Sequence, residues 1–304
     1  MKKTTAIFLV IIGAASYGLP ASIVKIAYSY GFTPEDVIGS FVFLGAVGLW
    51  LLSIPAWRKQ GAISSHLLWK LLLSGTFSGL TSIFYNISLQ KLPASLAVIL
   101  LFQFTWLGTI WESISKKEKP SRNRLISMLV IILGTCFAAG TISYDLSQLS
   151  WIGILFGFLA AITYTGFLYT SGTVALEISP LVRSALMMTG SCLFVFVIFP
   201  PRFFINGSIQ EGLWLWTSVI ALFSVVIPTA LFTKAIPTVG IGLASILGSI
   251  ELPAVILMSA LLLSEQTTLL QWGGILLILF GIILAEKKIH PKSTTLSKEN
   301  SIAK

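Results

Sequence analysis

Residues 239–263 read VGIGLASILGSIELPAVILMSALLL, and this stretch decides the fold. Glu251, near its middle, is its only charged residue. A helix of about 20 apolar residues crosses a bilayer, and a crossing segment must satisfy its own backbone hydrogen bonds, which favours a helix. We therefore interpret the stretch as a transmembrane helix that carries one carboxyl group deep in the membrane.

Similar apolar segments fill most of the rest of the chain. The 304 residues are 55% hydrophobic and only 10% charged, whereas soluble domains carry roughly 25% charged residues. This composition excludes an ordinary soluble protein and predicts an all-α polytopic membrane protein with ten transmembrane helices. The ten predicted spans are Thr4–Tyr28, Pro34–Ile54, Leu67–Leu89, Pro93–Ser113, Arg124–Ile142, Trp151–Tyr169, Leu181–Phe199, Leu213–Ile236, Val239–Leu263 and Leu269–Ala285.

The distribution of basic residues gives the expected orientation. With the N-terminus inside, 17 of the 20 Lys and Arg residues fall on the inner side and 3 on the outer side. Cytoplasmic loops of membrane proteins are enriched in Lys and Arg, so both termini are expected in the cytoplasm. The net charge of +9 therefore reflects topology, and we expect no nucleic-acid partner because the basic residues do not form a basic binding surface.

The chain also matches itself when it is shifted by 147 positions. This register aligns Leu96–Leu100 with Leu243–Leu247 and Tyr17 with Tyr164, and it predicts two five-helix repeats at residues 1–142 and 150–287, followed by a cytoplasmic tail at 288–304. Because each repeat has an odd number of crossings, the second must be inverted relative to the first. Inverted repeats are typical of secondary transporters that work by alternating access.

Glu251 is the first candidate functional residue. A charged side chain at the centre of a transmembrane helix costs roughly 2.5–3.5 kcal/mol on insertion scales, so Glu251 is expected to face the protein interior, to be neutral, or to have a partner. One interpretation is a group that binds a substrate amine or exchanges a proton near neutral pH. The other is a neutral carboxyl that joins two helices through a hydrogen bond.

Further candidates lie at the same predicted depth or near the membrane edge. Gln103 and Trp106 lie on one face of the fourth span, where they either line a cavity or pack between helices. Tyr17 and Tyr164 are equivalent in the two repeats and either line the same cavity or bridge helices. Lys25, near the outer end of the first span, either extends to the interface or belongs to the pocket.

Two prolines are expected to kink their helices, because proline removes a backbone hydrogen bond. Pro253 follows Glu251 by two residues and Pro228 lies in the eighth span. Catalytic and metal sites are not expected, since neither His66 nor His290 has partners at metal-ligand spacing and no nucleotide-binding motif occurs. We accordingly predict no cofactor and no enzymatic activity. A proton or another cation is a candidate coupling partner.

Short motifs in the first, ninth and last predicted spans carry a family resemblance: Tyr17-Gly18 with Lys25, Glu251-Leu252-Pro253 leading to Ser264-Glu265, and Gly281. They resemble the EamA-type branch of the drug/metabolite transporter superfamily, whose first span often reads Trp-Gly with a later Lys and whose ninth reads Glu-Pro. The resemblance implies a plasma-membrane carrier that exports, less often imports, small metabolites such as amino acids through a cavity between the repeats. The alternatives are a lipid scramblase or flippase and, less favoured, a membrane enzyme acting on lipid. The oligomeric state is left open.

Overall fold

A computed structural model describes residues 1–92, 94–138, 150–263 and 267–286, and in these ranges the chain is helical with no β-strand. The short turn Arg202–Phe204 and a π-helical turn at Leu222–Val226 accompany fourteen α-helices. The helices are α1 (Lys3–Ser16), α2 (Gly18–Ser29), α3 (Pro34–Trp57), α4 (Ser65–Lys91), α5 (Ala94–Leu101), α6 (Phe104–Lys116), α7 (Arg122–Ala138), α8 (Trp151–Thr173), α9 (Pro180–Ile198), α10 (Leu213–Ala221), α11 (Ile227–Val239), α12 (Ile241–Gly248), α13 (Glu251–Leu263) and α14 (Leu269–Glu286).

Several neighbouring helices continue one another and together form one span. This holds for α1 with α2, α5 with α6, α10 with α11, and α12 with α13. Eight spans in the described residues are long and apolar enough to cross a membrane. The segment Leu269–Ala285 of α14 is apolar but shorter, and α7 is not among the eight.

The order and lengths of the helices repeat along the chain. Adding 147 to the bounds of α5 gives the bounds of α12, and the same shift carries α6 onto α13. It also carries the start of α7 onto the start of α14. The internal register found in the sequence therefore has a counterpart in the backbone. Residues 139–142, 287 and the predicted tail 288–304 lie outside the described residues.

The equivalent helices α7 and α14 pack against each other through small residues. A Cβ atom at Gly134 would lie 2.9 Å from the carbonyl oxygen of Gly274, and the Ser127 hydroxyl donates to the carbonyl of Gly281 over 2.5 Å. The pairs 127–281 and 134–274 are related by the 147-residue shift. The partner number falls as the α7 number rises, so the two helices run antiparallel.

Two adjacent glycines in α14 allow a matched test of this packing. A methyl group at Gly274 would overlap the backbone nitrogen of Ala138, whereas at Gly273 nothing lies within 4 Å. We expect Gly274→Ala to destabilise the protein by about 1–3 kcal/mol, because a tight interface cannot absorb extra volume. Gly273→Ala is the control and should be neutral or slightly stabilising, since alanine favours helix. Thermal unfolding in detergent measures both, and equal melting temperatures would contradict the close contact.

Candidate functional site

Three spans break in the middle, at the residues where the functional candidates lie. Tyr17 separates α1 from α2, Phe102–Gln103 separates α5 from α6, and Ser249–Ile250 separates α12 from α13. The second and third breaks occupy equivalent positions in the 147-residue register. Breaks at membrane depth are tolerated where the freed backbone is buried in protein or lines a cavity.

Proline accounts for two of these breaks. Pro253 has no N–H to bond the Ser249 carbonyl, which instead accepts from Leu252 N–H at 3.4 Å. Pro20 likewise leaves the Ser16 carbonyl without its usual donor, and the helix is interrupted at the next residue, Tyr17. Pro20 is therefore a signal that the sequence reasoning missed.

The fourth span has no proline at its break. There the side chain of Gln103 replaces a backbone hydrogen bond that the break removes. Its backbone N–H bonds the Leu100 carbonyl, which leaves the Ile99 carbonyl without the helical donor. The side-chain amide nitrogen of Gln103 donates to that carbonyl over 2.8 Å. The Trp106 indole N–H donates to Gln103 Oε1 over 2.6 Å, so the two side chains share one helix face. The Trp106 ring also lies 6.3 Å from that of Phe158.

Glu251 is the first residue of α13 and lies next to the break of the ninth span. Its carboxyl group is within electrostatic range of three tyrosines, Tyr17, Tyr85 and Tyr164, which come from three other spans. The Tyr17 and Tyr164 side chains are also within electrostatic range of each other. Glu251 nevertheless keeps some accessible surface. The carboxyl group thus lies within electrostatic range of aromatic residues from three other spans.

Aromatic contacts hold these tyrosines in place. The Tyr164 ring meets Phe104 edge-on with centroids 4.7 Å apart, and Tyr17 lies 6.4 Å from Phe232. Phe104 and Phe232 are the register equivalents of Glu251 and Tyr85. Sequence reasoning missed Tyr85, although its equivalence to an aromatic position in the eighth span was a usable signal.

The remaining candidates have other surroundings. Pro228 lies in the first turn of α11, directly after the π-helical turn, and the Ser16 hydroxyl bonds the Phe223 carbonyl in that turn over 2.9 Å. Lys25 belongs to α2, but its side chain lies outside what the structure describes, as does Glu265. Among the described residues, no group of three or more His, Cys, Asp and Glu residues could hold a metal ion.

Glu112 has more partners than its helical spacing with Lys116 indicates. Spacing alone favours a surface pair with Lys116, but Glu112 is only 5% exposed. It forms ion pairs with Lys116 over 2.6 Å and with Arg124 over 2.8 Å. Its second carboxylate oxygen also accepts the Gly242 N–H over 3.0 Å. The partners on α7 and α12 are distant in sequence, so helical spacing does not reveal them.

These features define a helical membrane protein with repeated, broken spans and a carboxyl group, that of Glu251, in the interior of the helix bundle. A family model described as the EamA-like transporter family matches residues 4–140 and again 151–286. The chain belongs to this family and is a multi-pass membrane protein, which confirms the resemblance found in the sequence. Within the residues that the structure describes, eight of the ten predicted spans have the length and hydropathy expected of a crossing helix.

Two individual proteins are similar over nearly the whole chain. The uncharacterized transporter YcbK of Bacillus subtilis (strain 168) is 25% identical over 301 residues, covering 94% of this chain and 95% of that protein. A solved crystal structure has a TM-score of 0.75 at 14% identity, covering 94% of this chain and 98% of the other. The second similarity supports the fold alone.

Proposed function

We propose that this protein is a secondary transporter that moves a small amine-bearing metabolite, an amino acid or a related compound, out of the cell across the plasma membrane. One observation carries the proposal: Glu251 lies next to a helix break and within electrostatic range of three tyrosines from three other spans. Charge-assisted hydrogen bonds to a carboxylate and cation–π attraction to aromatic rings both recognise an ammonium group. In the proposed cycle Glu251 binds either this ammonium group or a coupling proton or cation.

The proposed topology has ten crossings in two inverted repeats, 1–142 and 150–287. The antiparallel packing of α7 and α14 supports inversion, because these helices are equivalent in the 147-residue register. Repeats related by an axis along the membrane normal would place equivalent helices parallel, whereas an axis in the membrane plane places them antiparallel. The lysine and arginine distribution supports cytoplasmic termini.

Alternating access follows from this arrangement as the proposed mechanism. The breaks divide the fourth and ninth spans into two halves each. In the fourth span α5 is the outer half and α6 the inner half, and in the ninth span α13 is the outer half and α12 the inner half. Rocking of one repeat against the other would expose Glu251 first to one side and then to the other. The proposal includes no cofactor and no catalytic step.

A metabolite comparison tests the function directly. Cells that overproduce the protein and cells that lack it are compared for intracellular and extracellular small molecules, and the compounds that differ are then tested for uptake in proteoliposomes. We expect at least one amine-bearing compound to be depleted from producing cells and to be transported by the purified protein. Displacement of labelled lipid without solute transport would instead favour a scramblase, and a lipid product would favour an enzyme.

A further inference from the structure

The two repeats are not packed equally at the two ends of the molecule. Near Lys116, α6 packs along α12, and α8 contacts α11. The register equivalents of these contacts, α5 with α13 and α2 with α4, show no comparable packing in the described residues. In the proposed orientation, the first pair of contacts is cytoplasmic and the second extracellular. In the described residues, the contact between α6 and α12 at the cytoplasmic end therefore has no extracellular equivalent between α5 and α13.

Small residues allow the cytoplasmic contact between α6 and α12 to be close. A Cβ atom at Gly108 of α6 would overlap the hydroxyl of Ser245 of α12, and Ser245 is fully buried. At the next residue of α6, the Thr109 hydroxyl donates to the carbonyl of Gly242 over 3.5 Å. Two helices that belong to different repeats are thus in direct contact at this end of the molecule.

Glu112, a residue of α6, links this helix to both α12 and α7. Its carboxylate accepts the Gly242 N–H in the first turn of α12 and the Arg124 guanidinium at the start of α7. The N-terminus of a helix carries partial positive charge and favours an anion. A Cβ atom at either Gly240 or Gly242 would overlap this carboxylate, so glycine at both positions lets Glu112 approach the backbone of α12.

The extracellular side has no charged counterpart of this cluster. The positions equivalent to Glu112, Lys116 and Arg124 are Ser259, Leu263 and Gln271. Ser259 instead has its hydroxyl 3.5 Å from that of Ser22, and the Gln271 side chain accepts from the Thr268 N–H. Two repeats that share a backbone register therefore differ in the residues that close their ends.

We infer that Glu112, together with Arg124 and the N-terminus of α12, forms a latch that closes the cytoplasmic side and makes the outward-open state the resting state. This inference rests on the proposed transport cycle and orientation. Opening to the cytoplasm separates Glu112 from α12, exposes Ser245 and closes the extracellular side. Because the extracellular side lacks these charges, the inward-open state is held less strongly and returns to the resting state. Glu112 acts on the cycle and not on the substrate.

Cysteine accessibility measures the latch without any substrate. Ser245→Cys is introduced into a chain in which Cys136 and Cys192 are replaced by alanine, and inside-out vesicles are treated with a membrane-impermeant thiol reagent. With Glu112 intact, we expect slow labelling because position 245 is buried in the closed contact. Glu112→Gln should accelerate labelling by at least about tenfold, the effect of losing roughly 1.4 kcal/mol of closure. Arg124→Gln should change the rate in the same direction.

Glu118→Gln is the matched control, because Glu118 follows the same helix and is exposed; its labelling rate should equal that of the parent. Equal rates in the Glu112→Gln, Arg124→Gln and parent proteins would overturn the latch. If Glu112→Gln does not reach the membrane, Arg124→Gln alone decides. The labelling assay can contradict the latch while solute transport is still observed. A negative result for the latch is therefore distinguishable from a negative result for the proposed function.

Discussion

Glu251→Gln is expected to slow substrate transport in proteoliposomes by about 10- to 100-fold, because it removes a charged hydrogen bond worth roughly 1.5–3 kcal/mol. Glutamine keeps the size of the side chain but neither carries the charge nor exchanges a proton. Since Glu251 lies at the start of α13 and keeps accessible surface, the substitution should change function more than folding. Initial uptake rates at several pH values provide the measurement.

Glu211→Gln serves as the control, because Glu211 is an exposed carboxylate in the segment before α10 and should transport at the parental rate. Glu251→Asp tests whether the charge alone suffices, and a partial activity would show that the position of the carboxylate also matters. The role of Glu251 is wrong if Glu251→Gln transports the identified substrate with unchanged rate and pH dependence.

Arg183→Met is expected to destabilise the protein by about 3 kcal/mol or more, because breaking a buried charged interaction leaves polar groups without partners. Arg183 is 1% exposed and donates to the carbonyls of Thr233 and Ser171. The Thr233 carbonyl lacks its helical donor because Pro237 has no N–H. The Ser171 carbonyl lies in the last turn of α8, where carbonyls are also free. One guanidinium group therefore joins three spans.

Arg202→Met is the comparison, since Arg202 is exposed beyond the end of α9 and its loss should leave stability within about 0.5 kcal/mol of the parent. Arg183→Lys should be intermediate, because lysine keeps the charge but cannot present the planar pair of donors. Thermal unfolding in detergent distinguishes the three variants. Equal melting temperatures for Arg183→Met and Arg202→Met would show that the two bonds contribute nothing to stability.

Local sequence patterns predicted a substantial part of the candidate site. Proline chemistry indicated a disturbance beside Glu251, and the span is broken at Ser249–Ile250. The spacing of Gln103 and Trp106 placed them on one helix face, where a hydrogen bond of 2.6 Å now joins them. In both examples the interacting groups lie within one helical turn, so their geometry follows from the backbone itself.

Apart from the expected proximity of Tyr17 and Tyr164, contacts between distant spans were not predicted. Tyr85 comes within electrostatic range of Glu251 although the two residues belong to spans distant in sequence, and Arg183 reaches carbonyls 12 and 50 residues away. Glu112 has a helical partner in Lys116, which concealed its more informative contacts with Arg124 and Gly242. Hydropathy marks the ends of helices in the membrane but carries no information about which helices become neighbours.

By itself, the sequence determined that this chain is a helical membrane protein with an internal register of 147 residues and a carboxyl group at membrane depth. The bilayer imposes this outcome, because long apolar segments with unpaired backbone groups have no other stable form in lipid. Only the tertiary structure decided at which end α6 and α12 pack together and through which residues. The backbone register is common to both repeats, so it cannot distinguish the two ends of the molecule. The ends differ in side chains at equivalent positions, such as Glu112 and Ser259, and in how helices from different repeats pack around them.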